Sequence, residues 1–118
     1  MTAAGFRKLA LSFPEAHEEP HMARTSFRVG KRIFATMNED QTEGVITKVE
    51  PRERLYRLAE EKPRQFFTMG GWSRMGALGV KLAHAEEPLV RELLEASWRR
   101  IAPKRALAEL SGGARRKL

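Results

Sequence analysis

Prolines at positions 14, 20, 51, 63 and 103 partition this chain and limit where it can be helical. Inside a helix, proline removes a hydrogen bond and clashes with the preceding turn, at a cost of about 3 kcal/mol or more. It also pushes the residue before it away from helical angles. Helices must therefore fit between these positions. Thr2 can cap a first helix whose inner face is Phe6, Leu9, Ala10 and Phe13, ending near Pro14. Pro51 suits the first turn of a second helix, with Leu55, Leu58 and Ala59 inward and Pro63 closing it. Glu53 and Arg57 form an i,i+4 pair on that helix. A third helix runs from about Glu86 to Ile101 and is stopped by Pro103. Its acids lie at the start and Arg99 and Arg100 at the end, matching the helix dipole. Leu89, Leu93, Leu94, Trp98 and Ile101 give it a broad apolar face.

Between the first two helices the pattern changes. Residues 14–23, PEAHEEPHMA, hold two prolines and no apolar period, and read as a loop. Thr25–Val29 and Arg32–Asn38 are rich in Phe, Val, Ile and Thr and read as strands. Gly30-Lys31 between them fits a two-residue hairpin, Gly supplying the positive φ of a II′ turn. That register sets Phe27 opposite Phe34. NEDQTE, residues 38–43, is a polar turn, and Gly44–Val49 a third strand. After the second helix, Phe66-Phe67 leads into MGGWSRMG, a glycine-punctuated loop. Ala77–Leu82 is a further strand, with the Phe67 region a candidate for another. The order α-β3-α-β1/2-α predicts an α+β fold of two layers, an antiparallel sheet covered by helices. Residues 1–107 form the domain; residues 108–118 are a basic tail expected to be mobile.

With 118 residues the chain can bury one sizeable core. No apolar run reaches the roughly 18 residues that span a membrane, and the N-terminus lacks a basic-then-apolar leader pattern. There is no cysteine, which excludes disulfides, thiolate zinc sites and cysteine nucleophiles. The expected location is the cytoplasm. The formal charge of +7 points to an acidic partner. Residues 102–118 carry a net +4 of it, five cations against Glu109 alone, so much of the excess is terminal. A solvated arginine-rich surface and a nucleic-acid surface both remain open on charge alone.

One string invites a catalytic reading. His17-Glu18-Glu19-Pro20-His21 satisfies H-E-x-x-H, the zinc metalloprotease pattern. That motif works on a helix, where His at i and i+4 share one face and reach one metal. Here Pro20 breaks any such helix, and Pro14 lies just upstream. The remaining histidine is His84. We therefore expect a polar connection and no metal site. The serines form no G-x-S-x-G elbow, and Gly70-Gly71 has no G-K-[ST] sequel for a phosphate. Neither a catalytic residue nor a cofactor site is expected.

Several segments together resemble the MmcQ/YjbR family of small bacterial proteins. Leu11-Ser12-Phe13-Pro14-Glu15-Ala16-His17-Glu18-Glu19 is like the family's L-P-x-x-x-E-x loop. Ser26-Phe27-Arg28-Val29-Gly30-Lys31-Arg32-Ile33-Phe34-Ala35 is close to its S-F-R-V-x-x-K-x-F-A hairpin. Phe66-Phe67 with Gly71-Trp72-Ser73-Arg74-Met75-Gly76, and Ser97-Trp98-Arg99 through Ala102-Pro103-Lys104-Arg105, complete the set in order, over about residues 5–107. One departure is Ala77-Leu78 after Gly76, where the family often has an aromatic residue. The resemblance implies a two-layer α+β fold, similar to secretion chaperones and to a double-wing DNA-binding domain. Family members are commonly labelled DNA-binding.

Two partner classes follow. For double-stranded DNA, Arg24, Arg28, Lys31 and Arg32 on the first hairpin are candidate phosphate contacts, extended by Trp72, Arg74 and Lys81. No helix shows the pattern of a recognition helix, so base-specific readout is not expected. For a protein partner, as in secretion chaperones, an exposed apolar sheet face is expected. Protein purified without a histidine tag should carry no stoichiometric zinc by elemental analysis. One zinc per chain would overturn this account of His17–His21.

Overall fold

The computed structural model describes residues 1–116. Residues 117 and 118 of the expected tail lie outside the described residues. The first helix, α1 (Ala3–Leu11), begins where the Thr2 hydroxyl accepts a hydrogen bond from Gly5 N at 2.9 Å. Four strands follow: β1 (His17–His21), β2 (Arg24–Val29), β3 (Arg32–Met37) and β4 (Glu43–Ile46). Then come α2 (Arg52–Glu61), β5 (Phe66–Thr68), the short α3 (Gly71–Arg74) and β6 (Leu78–Lys81). A 3-10 turn (Leu82–His84) leads to α4 (Glu87–Ile101) and α5 (Lys104–Arg116). The fold is α+β, and the six strands form one antiparallel sheet in the order β1-β2-β3-β4-β6-β5.

The stretch expected to be a loop holds the first correction. His17–His21 is an edge strand paired antiparallel with Arg24–Arg28, Pro20 facing Thr25. Proline lacks only the N–H, and on an edge strand that side of the backbone needs no partner. Met22-Ala23 closes a tight hairpin from β1 to β2, with Met22 at φ 58°. Methionine is not a turn former, so nothing in its identity announced the hairpin.

The second hairpin forms where expected, and Gly30 has the positive φ, 61°, that its turn needs. Its register differs by one residue. Phe27 faces Ala35, not Phe34, because β3 carries a bulge: Arg28 already pairs with Ile33. Phe34 still points into the core and is fully buried. A fifth helix also occupies the stretch beyond Pro103. Ala106 is buried, and Leu107 and Leu110 pack against the core. Arg105 clasps the Glu15 carboxylate with its Nε and a terminal nitrogen, both at 2.9 Å.

Strand pairing defines two rows of side chains. Phe27, Ala35, Ile46 and Leu78 lie side by side across β2, β3, β4 and β6. They face the helices and join Phe6, Leu9, Leu55, Leu93, Leu94 and Trp98 in a single core cluster. Phe6 packs so closely that a Cβ on Gly44 would lie 2.8 Å from its ring. Trp98 stacks on Phe13 with centroids 5.6 Å apart and donates from Nε1 to Pro14 O at 3.1 Å. Ser26, Thr36, Val45 and Gly79 form the second row, one residue over, on the opposite face.

Ser97, fully buried in α4, meets the sheet at the bulge. Its hydroxyl donates to Phe34 O at 2.8 Å and accepts from Lys48 N at 3.2 Å. Ser97→Ala leaves the Lys48 N–H without this acceptor. A loss of about 1–3 kcal/mol in unfolding free energy is expected by urea denaturation.

Candidate nucleic-acid interface

The second face of the sheet is not covered by the core-forming helices. Val45 and Ala77 are buried on it, yet both lie outside the core cluster. A groove of about 580 Å³ runs over this face. Its floor includes Ile33, Thr36, Val45, Thr47 and Ala77, a mix of aliphatic groups and hydroxyls. One wall is Met69, Trp72 and Met75, from α3 and the segments flanking it. Arg24, Lys31, Arg32 and Lys48 stand around it, and the Met22 hairpin tip marks one end.

The groove gathers four of the seven expected site residues: Arg24, Lys31, Arg32 and Trp72. Arg28 lies outside the groove lining but on the same face of β2 as Ser26, two residues along the strand. Arg74 is exposed on α3, and its carbonyl accepts a hydrogen bond from the Arg52 guanidinium. The Lys81 ammonium turns to Pro63 O at 3.0 Å. Neither of these last two lines the groove. Lys48, Met22 and Met75 do, and sequence reading missed them. Their membership depends on which strand face stays open, and no local pattern carries that information.

The cations of this face take no part in the salt bridges among the described residues. Arg7, Arg52, Arg54, Arg99 and Arg105 each pair with a carboxylate: Glu18, Glu50, Glu92, Glu95 and Glu15. Among the described residues, Arg24, Arg28, Lys31, Arg32 and Lys48 have no carboxylate within 4.0 Å. Hydroxyls hold two of them instead. Arg24 Nε donates to Thr36 Oγ1 at 3.2 Å, and Arg28 Nε to Ser26 Oγ at 2.8 Å. A neutral acceptor fixes the guanidinium while leaving its charge uncancelled. Four of its five donors then remain beyond that bond.

The histidines of HEEPH take part in this network. His17, Glu19 and His21 fall on one side of β1, opposite Arg28, Ser26 and Arg24. His17 Nε2 and Glu19 Oε2 are 2.6 Å apart. The hydrogen bond with His17 lowers the Glu19 pKa below its usual value; desolvation opposes this, and the charges of Arg28 and His17 add to the lowering. His21 Nδ1 lies 3.4 Å from an Arg28 terminal nitrogen. At about 3.3 Å per strand residue, His17 and His21 are roughly 13 Å apart along β1. A shared zinc requires about 2 Å from each. Among the described residues no three His, Asp or Glu side chains gather as a metal site. No described helix is long and apolar enough to cross a membrane.

Comparison with known proteins agrees with this architecture. The crystal structure of the Deinococcus radiodurans protein DR2400, which carries a DUF419 domain, superposes with a TM-score of 0.73. The alignment covers 93% of this chain and 88% of that one at 23% identity, a likeness of fold. No curated protein matches the sequence. A family model described as YjbR matches residues 11–100, which is most of the chain. This protein belongs to the YjbR family.

Proposed function

We propose that this protein binds DNA, without catalysis, through phosphate contacts on the open face of its sheet. The observation that carries this reading is the set of cations without carboxylate partners: Arg24, Arg28, Lys31, Arg32 and Lys48. Other cations among the described residues, Arg57, Arg91 and Arg100 included, also lack a carboxylate within 4.0 Å; what sets these five apart is that they gather on one face of the sheet. Guanidinium groups braced by hydroxyls suit phosphate oxygens, which accept charge-assisted hydrogen bonds. Binding of this kind is sequence-tolerant and strongly salt-dependent. The basic residues near the C-terminus would add to it.

A protein-interaction role is the second reading. It is favoured by Trp72 and Met75, which are 69% and 65% exposed beside the groove. A partner protein would cover them and need not carry phosphate-like charge.

Binding to random-sequence duplex DNA, titrated against salt, tests the first reading. Arg28→Ala with Arg32→Ala should weaken affinity and reduce the slope of log affinity against log salt by about 2. Replacing Arg115, Arg116 and Lys117 by Ser should weaken binding but not abolish it. This substitution keeps the docked part of α5, where Ala106 is buried and Arg105 holds Glu15. No binding at low salt by the full chain would overturn the DNA reading. Loss of all binding with the tail charges alone would reduce it to a nonspecific basic end.

A further inference from the structure

Phosphate contacts leave part of this face unexplained. Cations alone account for a flat basic surface, and this one is concave with an apolar floor. In a duplex the bases are stacked inside and the backbone outside is polar. Such a ligand gains nothing from Val45, Ile33 or an exposed indole. Trp72 is 69% exposed on α3, which is held in place by its buried neighbour. The Ser73 hydroxyl accepts from Met69 N and donates to Ala77 O, each at 2.7 Å. The indole is therefore presented from a fixed platform.

Resting on the nucleic-acid reading above, we propose that the ligand is single-stranded nucleic acid. An unpaired base stacks on Trp72 within the groove, and Arg24, Lys31, Arg32 and Lys48 take the flanking phosphates. The chemistry matches in alternation. A single strand brings one anion per nucleotide and an aromatic plane between successive anions. The groove has cations from β2, the β2–β3 turn, the start of β3 and the segment after β4, together with Trp72 and the aliphatic floor. Sequence-tolerant stacking on aromatics beside a basic track is the usual means of binding single strands.

Met22 adds an independent observation. It sits at the β1–β2 turn with φ 58°, and the residue is 94% exposed at the groove. Glycine or asparagine would suit that backbone better. An apolar side chain kept there, in contact with solvent, fits a contact to a base or sugar more than a need of the fold.

The test uses the full chain with a fluorescein-labelled 12-nucleotide oligothymidylate and a duplex of equal length, in the same low-salt buffer. Trp98 is fully buried, so quenching of exposed tryptophan reports on Trp72. The oligothymidylate should bind at least tenfold more tightly than the duplex and quench Trp72 emission. Trp72→Ala should weaken it by about tenfold or more, while Trp72→Phe retains most of the affinity. Met22→Asn should weaken it without lowering the urea midpoint. Duplex binding equal to or tighter than single-strand binding, with Trp72→Ala neutral, overturns this inference and leaves the DNA reading standing. No binding of either nucleic acid overturns both. Quenching by a Leu/Glu amphipathic peptide, without quenching by oligothymidylate, also overturns both and assigns the groove to a protein.

Discussion

The arrangement of this protein depends on how α4 is fixed to the sheet. At the bulge in β3 the strand ladder loses its regular spacing, and Ser97 reaches in from α4 to bond both Phe34 O and Lys48 N. One residue on, Trp98 stacks against Phe13 and bonds Pro14 O, tying the end of α1 to the same helix. Three polar bonds and one aromatic stack thus set the position of α4 over the sheet. α1 and α2 close around it to complete one core. All that apolar area is spent on one side. The other side keeps what the strands, α3 and the connecting segments supply, with Ile101 at the end of α4 reaching its groove.

Electrostatics follow from the same asymmetry. Where helices meet the β1 edge, a loop or one another, cations and carboxylates come together: Arg7 with Glu18, Arg105 with Glu15, Arg54 with Glu92. Exposed pairs of this kind contribute little to stability, but they cancel charge. On the open face the neighbours of Arg24 and Arg28 are the hydroxyls of Thr36 and Ser26. Position is fixed there by neutral groups, and neither guanidinium is in a salt bridge. A ligand meeting that face finds cations already oriented, so less conformational freedom is lost on binding.

What the sequence reveals depends on how local the determining physics is. The hairpin around Gly30 and the helices of Phe6 and Leu94 are set by periodicity and turn chemistry, and both are legible. The HEEPH stretch is legible only in part. Pro20 rules out the helix a zinc motif needs, but its strand comes from pairing with β2, a non-local contact. An edge strand exposed on both faces has no alternating pattern to display. The bulge is similarly hidden, since Phe34 and Ala35 are both apolar and either could face Phe27. The α5 helix is masked by Pro103 before it and Gly112-Gly113 within it, while its docking rests on Ala106, Leu107 and Leu110. At the groove, basic and aromatic residues were visible as residue types. Arg74 and Lys81 look equivalent to Arg24 on paper, and only the side-chain contacts separate them.

Pro20 has one more consequence. A sheet with one bare face invites growth by addition of strands from neighbouring molecules, and β1 is the longer of its two edges. Proline withholds one amide from that edge, and Glu18 and Glu19 place charge along it. The opposite edge, β5, is three residues long and lies against α2. Both margins resist chain-to-chain pairing, so the molecule can display its bare face in solution without becoming the template for an aggregate.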